Sequence, residues 1–213
     1  MKRIATIASV FIAASILLSS CVSKNDYGYT PPANNYRYAF SDDFNNDANQ
    51  WSFTDNQNRA YVSISGGQLH YDYHPANSGT NTVAIATGMP NGTSVFDIQT
   101  RFQSDNAMAL VFGVSPSDYG YSFFIDDRGY FAVYDEGTST IAAVALIDWS
   151  ANNAVLTGWN NVEVEATPSG SWIGYVNGTQ VFQIPAHTLY GNQTGYMVLN
   201  NTSGDADYLD LKW

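Results

Sequence analysis

The sequence predicts an all-β domain, built as an antiparallel sandwich or barrel. Three observations predict it. From Tyr38 onward the chain is a run of short apolar–polar alternations, about fourteen of them at a spacing of ~10–12 residues, broken by Gly, Asn, Asp and Pro. Helical patterns are nearly absent between these runs, which excludes the parallel sheets that need crossover helices. Aromatic residues make up 15% of the chain, enough large side chains to fill the space between two sheets.

The individual elements follow the same rule. Leu69, Tyr71 and Tyr73 alternate with His70, Asp72 and His74, so the first set is expected in the core and the second on a polar face. Val95, Asp97, Gln99 and Arg101 share one face, with Phe96, Ile98, Thr100 and Phe102 on the other. Residues 119–126 and 130–134 flank Asp127-Arg128-Gly129, a hairpin in which glycine supplies the positive φ. In 138–148 the β-branched residues favour a strand over the helix that its alanines suggest. Asn161, Glu163 and Glu165 alternate against Val162, Val164 and Ala166. Residues 172–176 and 180–184 flank Asn177-Gly178, a strong two-residue hairpin signal. Residues 185–191 have room for one helical turn at most.

The start of the chain reads differently. Lys2 and Arg3 precede a stretch, 4–18, whose only polar residues are Thr6, Ser9 and Ser15. It falls short of the ~20 residues of a membrane span and has the form of a secretory signal. Leu18-Ser19-Ser20-Cys21 then resembles the lipobox of bacterial lipoproteins. That resemblance implies cleavage before Cys21 and a lipid on its thiol. Cys21 is the only cysteine, so neither an intrachain disulfide nor a thiolate metal cluster is open to the chain. Val22 rather than Asp follows it, which in Gram-negative lipoproteins leaves the route to the outer membrane open. Residues 22–37 carry no apolar periodicity and contain Pro31-Pro32. They read as a flexible tether that reaches about 50 Å when extended. The expected organisation is a signal peptide (1–20), a lipidated cysteine and tether (21–37) and one folded domain (38–213).

The net charge of the chain is −11. Cleavage before Cys21 removes two basic residues, leaving six against nineteen acidic ones and a net charge of −13. Such a surface repels phosphates, so nucleic acid is excluded as a partner.

A series of motifs in order supports a closer reading. Phe40-Ser41-Asp42-Asp43-Phe44 is followed by Trp51 and Gly66-Gly67-Gln68-Leu69. Next come Phe112-Gly113, Tyr121-Ser122-Phe123-Phe124-Ile125 and Gly129-Tyr130-Phe131. Trp159-Asn160-Asn161-Val162-Glu163-Val164, Tyr175-Val176-Asn177-Gly178 and Gly195-Tyr196-Met197-Val198 follow, and the chain closes on Asp207-Tyr208-Leu209-Asp210-Leu211. Over residues 38–213 this order resembles the concanavalin A-like lectin/glucanase superfamily, laminin G-like domains included. The resemblance implies a jelly roll of two antiparallel sheets with the first and last strands side by side, and in many members a glycan site. The fold alone does not choose among lectins, glycosidases and adhesion modules.

Retaining glucanases of that superfamily carry Glu-x-Asp-x-x-Glu on one strand, and the motif is absent here. Glu163 and Glu165 are the catalytic candidates left, ~7 Å apart along a strand and within glycosidase range. Asp97, Gln99, Arg101 and Asn161 are expected to offer polar contacts to a sugar, and Trp149 and Trp172 aromatic stacking faces. His70 and His74 stand ~13 Å apart, too far to share a zinc ion. Asp42, Asp43, Asp207 and Asp210 gather if the terminal strands pair, and would then suit a structural calcium. No other cofactor signature is present.

The sequence-level expectation is a lipid-anchored envelope module that binds carbohydrate without altering it. The alternatives are a glycoside hydrolase with a non-standard carboxylate pair and an adhesion module with a protein partner. Cys21→Ala is expected to abolish incorporation of radiolabelled palmitate in a bacterial host. Undiminished labelling would remove the anchor from this picture.

Overall fold

The computed structural model describes residues 36–213. The expected signal peptide, Cys21 and the tether up to residue 35 lie outside the described residues. Within them there are fifteen strands and no helix. Nine strands form the larger sheet: β1 (Ala39–Asp42), β2 (Phe53–Thr54), β3 (Ala60–Ser65), β4 (Gln68–Tyr73), β6 (Phe96–Ser104), β11 (Asn160–Ala166), β12 (Ser171–Val176), β13 (Thr179–Pro185) and β15 (Thr202–Lys212). Their order is β13-β12-β11-β6-β15-β4-β3-β2, with β1 also on β15. The smaller sheet holds β5 (Thr80–Ala86), β7 (Ala107–Val114), β8 (Tyr121–Asp126), β9 (Tyr130–Asp135), β10 (Val144–Ala151) and β14 (Gln193–Leu199), in the order β10-β9-β8-β7-β14-β5.

The core forms where the inward residues of both sheets meet. Phe96, Ile98, Phe102, Val162, Val164 and Trp172 come from the larger sheet, and Leu110, Phe112, Phe123 and Tyr196 from the smaller. Each such side chain contributes about 1.5–3 kcal/mol by leaving water. Leu69, Tyr71 and Tyr73 are buried as the alternation predicts. The Asn177-Gly178 turn takes φ of 51° and 76°, the left-handed pair that suits a two-residue hairpin, and joins β12 to β13.

The first and last strands pair, Ser41 opposite Asp210 and Asp42 opposite Leu209. At the end of β1 the buried Asp42 carboxylate accepts from Trp51 Nε1 at 2.7 Å, Asn49 Nδ2 at 2.7 Å and the Phe44 amide at 2.9 Å. This network gives Phe-Ser-Asp-Asp-Phe…Trp a structural reason: it folds the loop after β1 under the sheet.

β15 is the longest strand, and a bulge divides it. One edge runs along β6 from Gly204 to Lys212; the other is shared, Thr202–Ala206 with β4 and Leu209–Lys212 with β1. Against β6 the register skips from Ala206 opposite Phe102 to Tyr208 opposite Arg101, leaving Asp207 as the extra residue. The bulge reverses the alternation, so Ala206, Leu209 and Leu211 all reach the core. It also brings the Tyr208 carbonyl beside two buried hydroxyls. That oxygen accepts from Thr100 Oγ1 at 2.6 Å and from Tyr196 Oη at 3.2 Å, and the two hydroxyls lie 2.8 Å apart. Tyr196 belongs to the smaller sheet, so this buried network links the sheets.

One local expectation is corrected. The strand expected over 138–148 begins only at Val144. Gly137 has φ of 70°, and the Thr138 hydroxyl accepts from the Thr140 and Ile141 amides, closing a tight turn with a bridge between Thr138 and Ile141. After β13, which extends through Pro185, residues 186–191 are irregular, within the limit of one helical turn that their length sets.

Tyr196→Phe is expected to cost about 1–2 kcal/mol, because it removes a buried bond and leaves Thr100 and the carbonyl underserved. The urea midpoint should fall with an unchanged slope. An unchanged midpoint would show that the link between sheets carries no stability.

Candidate functional site

The face of the larger sheet turned away from the core carries a patch of polar side chains. Its arrangement follows from the register. Asp97 on β6 stands opposite Glu165 on β11 and Lys212 on β15. In the next row Gln99 stands opposite Glu163 and Asp210, with Tyr175 of β12 beyond Glu163 and Ser41 of β1 beyond Asp210. Arg101 follows, opposite Asn161 and Tyr208. Directly opposed residues have Cβ atoms about 4.5–5.5 Å apart, so four carboxylates, Asp97, Glu165, Glu163 and Asp210, crowd into two adjacent rows.

Crowding and burial act on their protons. Asp97 and Glu165 are each only 3% exposed. Loss of water pushes Asp97 up to about 6, against the opposing pull of Lys212 and of the Gln99 amide, whose Nε2 lies 3.0 Å from the carboxylate. Glu163 is pushed further, to about 8, first by burial and then by the charges of Asp97 and Glu165. At neutral pH its carboxyl is therefore largely protonated. Glu163 Oε1 is buried and has no hydrogen-bond partner. Beside it opens a pocket of about 40 Å³ lined by Gln99, Asn161, Glu163, Tyr175 and Tyr208. That is room for one hydroxyl or hydroxymethyl group, given that a water occupies ~30 Å³ of liquid.

Arg101 does not neutralise the glutamates. Its guanidinium lies 3.3 Å from Asp207 and 4.9 Å from the centre of the Trp159 ring, an ion pair and a cation–π contact at once.

The residues expected to form a site thus divide. Asp97, Gln99, Arg101 and Asn161 come together, and Glu163 and Glu165 join them. Trp149 lies on the other sheet, on its outward face, half-buried against Phe124 with ring centroids 5.9 Å apart. Trp172, expected as a stacking face, is 1% exposed: β12 turns it inward against Phe112 and Tyr121. The calcium set does not assemble. Alternation puts Asp42 on the core side, where it holds Trp51, and Asp210 on the outer side beside Ser41. Asp43 binds Asn45 and Asp207 binds Arg101. Among the described residues no three His, Cys, Asp or Glu side chains gather as a metal site. His70 instead pairs with Asp205, Nδ1 to Oδ1 at 2.7 Å.

Tyr175, Tyr208 and Lys212 are members that the sequence reading missed. Tyr175 follows once the Asn177-Gly178 hairpin is registered against β11. Tyr208 and Lys212 depend on the bulge, whose only trace in the sequence is the three-residue step from Ala206 to Leu209.

No protein-family model matches the chain, and no curated protein sequence does. Solved structures do match. One, from work on endo-acting O-glycanases of the human gut microbiota that initiate mucin breakdown, aligns with a TM-score of 0.53 at 12% identity, over 81% of this chain and 98% of that one. The GlcNAcα1-4Gal-releasing endo-β-galactosidase of Clostridium perfringens aligns with a TM-score of 0.50 at 14% identity, over 88% of this chain and 65% of the enzyme. A protein of unknown function from Shewanella oneidensis aligns with a TM-score of 0.51 at 10% identity, over 82% of this chain and 85% of that one. At these identities the likeness is one of fold. The chain is an antiparallel, jelly-roll-like β-sandwich.

The protons of the acid patch give a stability prediction. The unfolded chain releases the Glu163 proton near 4.5, the folded chain near 8. The stabilisation from that retained proton is complete below 4.5, fades as pH rises, and is gone above 8. Glu163→Gln, which keeps a neutral side chain of the same shape, is expected to stabilise relative to wild type increasingly from about pH 5 to about pH 9. Melting curves across that range check it, and a constant difference would refute the assignment.

Proposed function

We propose that this chain is a carbohydrate-binding β-sandwich module, held by a lipid on Cys21 at a bacterial outer membrane, and that the acid-and-amide patch of the larger sheet is its glycan face. The observation that supports it is the buried, unpartnered Oε1 of Glu163 beside a hydroxyl-sized pocket, on a carboxyl that burial pushes up to about 8. A protonated carboxyl both donates and accepts, as a sugar hydroxyl does, and an unpaired buried polar atom gains most from such a partner. Gln99 and Asn161 add amides at the pocket, and Tyr175 and Tyr208 add aromatic walls. Two structures with the same fold, an endo-β-galactosidase and one from work on endo-acting O-glycanases, support a glycan ligand.

A second reading, glycoside hydrolysis, has its own observation. A protonated Glu163 next to Glu165 on the same strand, with Asp97 opposite, resembles the split between an acid and a carboxylate that glycosidases use. The small size of the pocket and the absent glucanase motif favour binding.

Isothermal titration against polysaccharides, mucin included, tests both. The expected outcome is heat with at least one polymer, at least tenfold weaker binding in Glu163→Ala, and retained binding in Glu163→Gln. Heat with none of them would remove the reading. New reducing ends that appear with wild type and vanish in Glu163→Gln would establish the hydrolase instead.

A further inference from the structure

Beyond the acid patch, a separate cleft of about 280 Å³ opens at one end of the sandwich. Three connections build it: the loop before β6, the turn between β11 and β12, and the segment after β13. Thr93, Ser94, Thr167 and Thr188 supply hydroxyls to its walls, and Trp172 and His187 line it with rings whose centres are 5.5 Å apart. No acidic, lysine or arginine side chain lines it.

The cleft is held in shape by bonds below it. Tyr121 packs on Trp172, His187 and Tyr190, and donates its hydroxyl to the Thr188 carbonyl at 2.9 Å. Tyr190 in turn donates to Asp135 at 2.9 Å. The Thr93 and Thr167 hydroxyls are already used by the chain, Thr93 donating to the Pro90 carbonyl and Thr167 accepting from the Ser171 amide. The Ser94 and Thr188 hydroxyls and the ring nitrogens of the exposed His187 have no hydrogen-bond partner among the described residues. Bonds that fix the walls, together with polar atoms left over at the surface, make a site whose shape is set before any ligand arrives.

We infer that this end cleft binds one neutral sugar ring, the terminal residue of a glycan. Its volume sits at the lower edge of small-molecule sites, roughly 300–1,000 Å³, which suits a single ring. A lining without charged acids or bases gives no hold to phosphate, carboxylate or ammonium ligands. A pyranose has an apolar face for the imidazole and hydroxyls for Ser94, Thr188 and the histidine nitrogens. The site shares no residue with the acid patch.

The chain has three histidines, so proton NMR of their imidazoles resolves the cleft directly. Titration of the full domain with methyl glycosides of glucose, galactose, mannose and N-acetylglucosamine should move the His187 signals saturably with one of them and leave those of His70 and His74 in place. Ser94→Ala/Thr188→Val, a pair of surface changes, should weaken that titration at least tenfold. No movement of His187 at tens of millimolar glycoside, or an unchanged titration in the double variant, would overturn the inference. Glu163 lies outside the cleft, so the change in affinity from wild type to the Glu163 variants isolates the acid patch, and no change there with His187 still responding would leave this site standing.

Discussion

The fold turns on one backbone oxygen. The Tyr208 carbonyl, next to the bulge at Asp207, receives the hydroxyls of Thr100 and Tyr196 and so joins the two sheets inside the core. Leaving a buried carbonyl without its donors would cost about 1–3 kcal/mol, which ties the bulge to the two hydroxyls energetically. The same bulge decides which half of β15 faces inward. Without the extra residue Leu209 and Leu211 would point to solvent, and Tyr208 and Asp210 into the core.

The acid patch follows from that choice. Once the bulge has turned Tyr208, Asp210 and Lys212 outward, they complete rows begun by Asn161, Arg101, Gln99, Glu163, Asp97 and Glu165. Four acids so close cannot all keep their charge in a partly dry setting, and the proton held by Glu163 is the relief. The patch is thus a balance between a rigid register and a shared proton. Its pairing partners are amides, one lysine and phenols rather than arginine, because Arg101 is engaged by Asp207 and Trp159.

Much of this was legible in the sequence, for a simple reason. Where one face of a strand is core and the other is water, the period of two reports both faces, as in 96–102 and 161–166. The hairpins at Gly129 and Asn177-Gly178 were legible because their backbone needs positive φ. What escaped was long-range. Trp172 reads as a surface aromatic only until β12 is placed, when its neighbours Phe112 and Tyr121 claim it. The aspartates near the two ends read as a cluster until the pairing of β1 with β15 sends Asp42 and Asp210 to opposite faces. The turn at Gly137 interrupts a strand because a local hydroxyl outbids the ladder.

The position of β1 has a mechanical meaning. It is a four-residue strand, added to the end of β15 and extended by the Arg37 and Tyr38 amides on the Trp213 carbonyl. Any tension on the chain ahead of residue 36 enters the domain there. Those few bonds can peel one after another, but the unzipping meets a stop at Asp42, whose carboxylate is bound to Trp51, Asn49 and the Phe44 amide beneath the sheet. Asp42 is thus an anchor bolt: the first strand can yield to a pull while the two sheets behind it keep their shape.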